Sequence, residues 1–186
     1  DTNTRVEGVV SGQFAFADSL SNDAYGQLAK SDAAQPVLLS PFGWPLFCMN
    51  MKKGLMSKLE LRQAVQAALA PEDMLTAAFG DPKFFAVDGP MYPKGWSWRT
   101  DAGVELYNLA NPLKAADLRK KGKYDGLPLR ILTSHQYEFH YQMAVGSQAY
   151  LQQAGMKVTL DVVDWATLTQ QRNNPDAWDI YITHSP

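Results

Sequence analysis

Three histidines, His135, His140 and His184, are the side chains whose ordinary pKa suits proton transfer near neutral pH. His135 and His140 stand five residues apart, which does not bring both to one helical face, and neither belongs to an HExxH or HxxxH pattern. No metal centre is expected from them. His184 precedes Ser185, but neighbours on a strand point to opposite faces, so a base and nucleophile are not expected there either. Neither GxGxxG nor a phosphate-binding GxxxxGK motif occurs, so no nucleotide cofactor is signalled. The acidic pairs read as structural: Glu72 and Asp73 as a helix start, Asp161 and Asp164 as a strand edge followed by a cap. Cys48, between Phe47 and Met49, reads as a small buried hydrophobe, and a lone cysteine can build neither a disulfide nor a structural zinc site. The motifs point to no enzyme and no cofactor.

Binding chemistry is better represented. Trp44 lies between Pro41 and Pro45, and Trp96 and Trp98 lie in a stretch broken by Gly and Pro, so these rings are candidates for apolar or stacking contact with a ligand. Ser134, His135, Gln136 and Tyr137 follow a predicted strand and open a predicted helix, with His135, Gln136 and Tyr137 the candidates to offer a ligand hydrogen bonds. Ligands of α/β proteins settle beyond strand ends, which makes this turn the strongest position for polar contacts.

The elements that must hold these residues alternate along the chain. Thr4 and Glu7 have capping-box spacing and Gly12 reads as a stop, predicting a short first helix; Phe14 and Phe16 predict a short strand, and residues 22–30 a weak helix. Strands are predicted at 37–40 and 46–51, around a turn at Pro41–Pro45. Ser57 with Glu60 predicts a capped helix carrying Leu61, Val65, Ala68 and Leu69; Pro71 opens another that ends at Gly80. Residues 81–110 read as irregular and aromatic-rich. Asn111–Pro112 opens a helix that stops at Gly122. A strand through Leu129 and Ile131, a helix over about 137–154 with Tyr141, Ala144, Val145, Gln148 and Leu151 on one face, and a strand with Val158, Leu160 and Val162 make a βαβ unit. Asp164 caps a further helix, and Trp178, Ile180 and Ile182 alternate in a last strand. The fold class is α/β, in layers.

Composition narrows the function further. The 186 residues carry a formal net charge of −2, which argues against a nucleic-acid partner. With 46% hydrophobic and 19% charged residues, the chain can build a packed core and disorder is not expected. The longest apolar runs, such as Leu46–Met49, fall far short of the ~20 residues a membrane-spanning helix needs, so no membrane insertion is expected.

The order of several short segments resembles the family 5 extracellular solute-binding proteins. Residues 1–20 resemble the family's helix ending at Ser-Gly and running into a strand; Asn50 followed by Leu61-Arg62-Gln63-Ala64 resembles its strand end and helix. Tyr107 to Gly126 resembles its Tyr, Asn-Pro, alanine-rich helix and Tyr-Asp-Gly turn. Gln148 to Trp165 and then Trp178-Asp179-Ile180 resemble its helix, glycine, strand and acidic-Trp signature.

The resemblance implies an α/β sandwich like one lobe of the type II periplasmic-binding-protein fold, with residues 1–186 forming a single lobe, the second, of a longer two-lobed protein. It also implies a non-catalytic subunit of an ABC importer, in the periplasm or otherwise outside the cytoplasm. That subunit would trap a peptide-like solute as the lobes close and deliver it to a membrane permease. One departure bears on the ligand. Where dipeptide binders place an arginine at the strand-to-helix turn to grip the peptide carboxylate, this sequence has Ser134 or His135. A ligand-sensing domain of a transcription regulator, which uses the same fold, and a small hydrolase working through His135 or His184 are the rival expectations.

Overall fold

The computed structural model describes residues 2–18, 20–39 and 43–185, in two compact units, 1–41 and 42–186. In the first unit, helix α1 (Thr2–Val10) and helix α2 (Ala24–Leu28) bury Val6, Ala24 and Leu28 against Val10, Leu20 and Ala34. The helix begins before the Thr4/Glu7 pair, so Thr4 lies inside its first turn rather than capping it. Phe14 and Phe16 do not form the expected strand. The Phe14 backbone N–H donates to the Gly8 carbonyl, and the Phe14 ring fills the space a side chain at Gly8 would need. Residues 37–39 also stay irregular and exposed, because a lone extended segment without a neighbour has no ladder to join. Ser40, Pro41 and Phe42, where that expected strand would end and its turn begin, lie outside the described residues.

The second unit is built on a four-stranded sheet in the order β1-β4-β2-β3, with strands β1 (Trp44–Met49), β2 (Leu129–Thr133), β3 (Val158–Val162) and β4 (Ile180–Ser185). β2 runs parallel to both β3 and β4, while β1 is antiparallel to β4 at the edge. Trp44 and Pro45 belong to β1 and not to a turn. Edge position explains this, since an edge strand has a side on which proline's missing N–H costs no ladder bond.

Alternation along the strands separates two packing layers. Leu129, Ile131, Val158, Ile180 and Ile182 face the main core with helices α3 (Leu59–Ala68), α4 (Pro71–Phe79), α5 (Pro112–Lys121) and α6 (Glu138–Gln153). Leu132 and Tyr181 face the other way and pack with Leu168 of helix α7 (Trp165–Gln171) and with Trp178. Trp178 therefore does not share the Ile180/Ile182 face. It precedes β4 and lies in the smaller cluster.

Several helix ends follow their sequence signals. Pro71 and Pro112 stand at the first helical positions, Asn111 accepts the Lys114 N–H at 2.9 Å, and Asp164 accepts the Thr167 N–H at 2.9 Å. Ser57 does not cap α3. Its hydroxyl donates to the Gly54 carbonyl at 2.7 Å inside a short 3₁₀ turn, and Lys58 takes the cap position. The buried face of α6 is His140, Met143, Ala144, Ser147 and Leu151, rotated from the expected stripe so that Tyr141 and Val145 lie off the core. Two polar residues occupy that face, each with a partner for one polar atom: Ser147 Oγ donates to the Met143 carbonyl at 2.6 Å, and His140 Nε2 meets His184 Nδ1. Cys48 is half-buried rather than buried, opposite Tyr181 across the β1–β4 pair.

Candidate functional site

The parallel strands β2, β3 and β4 all run toward one end of the sheet, and there their connecting segments meet. β2 ends at Thr133 and leads through Ser134, His135 and Gln136 into α6. β3 ends at Val162, and the Val163 N–H extends the ladder to the Thr133 carbonyl at 3.0 Å before Asp164 opens α7. Between the two turns, Ser134–Gln136 on one side and Val162–Trp165 on the other line an open cleft of about 480 Å³. The register brings β4's His184 and Ser185, and Trp44 of β1 opposite Ser185, to the same end of the sheet.

Each side chain here has a local reason for its position. Buried Ser134 accepts the Gln136 N–H on its hydroxyl at 3.2 Å, which shapes the turn. His135, exposed, packs its ring 4.0 Å from the Tyr141 ring and meets Glu138 through Nδ1 at 2.9 Å. Glu138 also accepts Gln142 Nε2 at 2.8 Å. Burial would push its carboxyl up, but the bonds from His135 and Gln142 outweigh this and hold it below the ordinary value. In the first turn of a 16-residue helix, a carboxylate is also favoured by the helix dipole. Asp164 is held below the usual carboxylate range by the Thr167 hydroxyl and then by the Thr167 backbone N–H, so it stays ionised as a cap.

Tyr137, outside the cleft lining, sits in a nest of rings that includes the lining residue Trp165. Its centroid is 4.7 Å from His184, 5.2 Å from His140 and 5.4 Å from Trp165, the last edge-on at 81°. His140 Nε2 lies 3.0 Å from His184 Nδ1. His140 is fully buried, and burial first, with the charge of His184 second, pushes its pKa down to about 4; burial also pushes His184 down.

The sequence candidates thus fall in four places. His135 and Gln136 line the cleft, Tyr137 packs against the lining residue Trp165, and Trp44 stands at the same sheet end. Trp96 and Trp98 are exposed, in the aromatic segment between α4 and α5, where Trp96 stacks on Tyr92 at 6.2 Å and Arg99 bridges Asp88 at 2.6 Å. Sequence reading did not find Val162, Val163 and Trp165 as cleft residues, nor the His140–His184 contact. The rule that placed Ser134–Tyr137 applies equally to the end of β3 and could have found the former; the latter joins residues 44 positions apart and has no local signal. Among the described residues, no group of three or more His, Cys, Asp or Glu is placed to hold a metal ion. No helix among them is long and apolar enough to cross a membrane.

A sheet of this order with helices on both faces, and a cleft beyond its parallel strand ends, is the architecture of the periplasmic binding proteins. Residues 1–185 match the bacterial extracellular solute-binding proteins, family 5 Middle, and the chain belongs to that family. A probable peptide ABC transporter periplasmic-binding protein, y4tO of Sinorhizobium fredii, is 26% identical over 141 residues, covering 73% of this chain and 27% of its own length. Among solved structures, the binding protein AgaA of A. tumefaciens R10, in complex with agropinic acid, is 27% identical and superposes with a TM-score of 0.74, over 100% of this chain and 37% of its own. DppA of Helicobacter pylori, in complex with the peptide STSA, shares the fold at 18% identity with a TM-score of 0.83, over 100% of this chain and 35% of its own.

Proposed function

We propose that this chain is part of the second lobe of an extracytoplasmic solute-binding protein that captures a peptide or peptide-like solute and delivers it to an ABC importer's membrane permease. The observation that carries the reading is the cleft at the carboxyl ends of β2 and β3, where turn residues from two successive strands face one another. Capture needs no bond chemistry. The lobe supplies pre-placed polar groups at His135 and Gln136 and an aromatic wall at Tyr137 and Trp165, and a solute that binds the closed form better shifts the lobes toward closure. The exposed rings of Trp96 and Trp98, and Trp44 at the sheet end, add apolar surface to the same task. Family membership and the peptide-transporter relative support transport; neither supports the regulator reading.

The chain spans about a quarter of the length of that relative, so the test belongs to the full-length protein. Calorimetry against the peptide STSA, agropinic acid and a set of di- to hexapeptides is expected to give saturable micromolar or tighter binding to at least one peptide-like compound. Binding of none of them, with the protein folded, sinks the peptide-like reading.

A further inference from the structure

The His140–His184 contact joins the helix that opens at the cleft to the end of β4, and the identities of its two nitrogens constrain where protons can sit. His140 Nε2 faces His184 Nδ1 at 3.0 Å, while His140 Nδ1 is buried with no partner. Folded proteins leave a buried acceptor under-satisfied more readily than they orphan a buried N–H, which favours a bare lone pair at that atom. Neutral His140 therefore carries its proton on Nε2 and donates it to His184 Nδ1. That leaves His184 as the acceptor.

Protonation of His184 destroys this arrangement. Imidazolium carries N–H on both nitrogens, so two donors would face each other across 3.0 Å. The pair then has two ways out. His140 moves its proton to Nδ1, stranding a buried donor, or the rings part. The first outcome costs an unmet buried N–H and so favours the second, and parting the rings disturbs Tyr137, whose ring touches both histidines, and Trp165, which lies edge-on to Tyr137 and stacks 6.0 Å from His140.

We infer that the His140–His184 pair is a proton-sensitive positioning element for the cleft: neutral, it holds Tyr137 and the cleft-lining Trp165 in place, and one proton releases them.

Among the described residues, the carboxylates on the elements next to the pair are held by other groups. From the β2–α6 turn and α6 come Tyr137, His135 and Glu138, and the Glu138 carboxylate is engaged by His135 and Gln142. From the β3–α7 turn comes Asp164, engaged by Thr167. On β1 the register partner of His184 is Pro45, and β2 ends nearby in uncharged Thr133 and Ser134. Burial of both rings agrees in direction, since it disfavours the charged form of each.

The test has one arm that needs no solute and one that rests on the solute reading above. In the full-length protein labelled with fluorotryptophan, the Trp165 resonance is assigned by its loss in Trp165→Phe and followed by ¹⁹F NMR from about pH 7.5 down to about pH 4.5. The expected result is a one-proton shift of that resonance, absent in His184→Gln and His184→Asn and retained in His135→Gln, which controls for the other histidine at the cleft. A Trp165 resonance that does not titrate, or that titrates in the His184 variants, or that loses its titration in His135→Gln, overturns the inference. If neither His184 variant is folded by circular dichroism at neutral pH, the wild-type and His135→Gln titrations decide. In the second arm, retention of peptides from a tryptic casein digest is expected to fall about tenfold over the same range in the wild type and to stay level in His184→Gln. Retention unchanged by pH, with the resonance titrating, overturns the link to solute. No retention at any pH, with the resonance titrating, sinks the peptide-like reading and leaves the positioning element standing.

Discussion

The Asp179 carboxylate accepts two hydrogen bonds from Arg130 through one oxygen, from the backbone N–H at 2.9 Å and from Nε at 3.1 Å. The Asp179 N–H in turn donates to the Arg130 carbonyl at 3.0 Å. These bonds tie the residue just before β4 to the start of β2 on a carboxylate that is almost fully buried. Asp179→Ala leaves a backbone donor and a guanidinium arm unmet, and a loss of about 2–3 kcal/mol is expected. Urea unfolding near pH 7 reads it as a lower midpoint with an unchanged slope.

Gly54 stands against the same carboxylate. Its φ is +68° and ψ −156°, a region that side-chain-bearing residues avoid, and a Cβ there would lie 2.6 Å from Asp179 Oδ1. Gly54→Ala is expected to destabilise by about 2–3 kcal/mol. Combined with Asp179→Ala, the double variant should lose less than the sum of the two, because the clash disappears with the carboxylate while the backbone strain remains. Additive losses in a double-mutant cycle count against the contact.

His140 makes stability depend on pH in a definite direction. Its folded pKa is about 4 against an ordinary value of 6.5, so below pH 6.5 the unfolded chain takes up a proton that the folded chain refuses. Stability is full above that value, declines as pH falls toward 4, and levels off below it, a cost of at most about 3 kcal/mol. Urea midpoints measured across this window should fall in the wild type and fall less in His140→Gln, where only the smaller contribution of His184 remains. A variant with the same slope as wild type would show that another group carries the effect.

Solute affinity should separate the candidate residues by place. In the full-length protein, His135→Ala, Gln136→Ala and Trp165→Ala are each expected to weaken peptide binding about tenfold, the worth of one lost hydrogen bond or stacking contact. Trp96→Ala and Trp98→Ala test whether the exposed rings of the α4–α5 segment also touch solute, and a similar loss is expected if they do. Calorimetry with melting curves as a folding control reads all five. Unchanged affinity for all three cleft variants places the solute elsewhere.

The legible features were those with a local cause. Pro71 and Pro112 at helix starts, Asn111 and Asp164 as caps, and the βαβ unit over residues 129–162 all rest on signals a few residues wide, and the structure has them. Ser57 misled because its hydroxyl had a second option, the Gly54 carbonyl one turn back. The alternation of Phe14 and Phe16 and the apolar run at Val37 misled because either pattern makes a strand only when a neighbour supplies the ladder. The turn at Ser134–Tyr137 was legible from the strand-end rule, and the same rule at the end of β3 points to Val163–Trp165; that the two turns face one another across a cleft is set by the pairing of β3 with β2.

The sequence by itself determined the class of fold, the order of its segments and the turn that faces the cleft, because periodicity, capping and glycine placement act between residues close in the chain. Only the tertiary structure decided which distant residues meet. Arg130 reaches Asp179 across 49 positions and His140 reaches His184 across 44, and these pairings depend on sheet order and on the rotation of α6 about its axis. Side chains that far apart leave no periodic trace, since the partner that makes a buried polar group tolerable is supplied by packing and not by its neighbours in the chain.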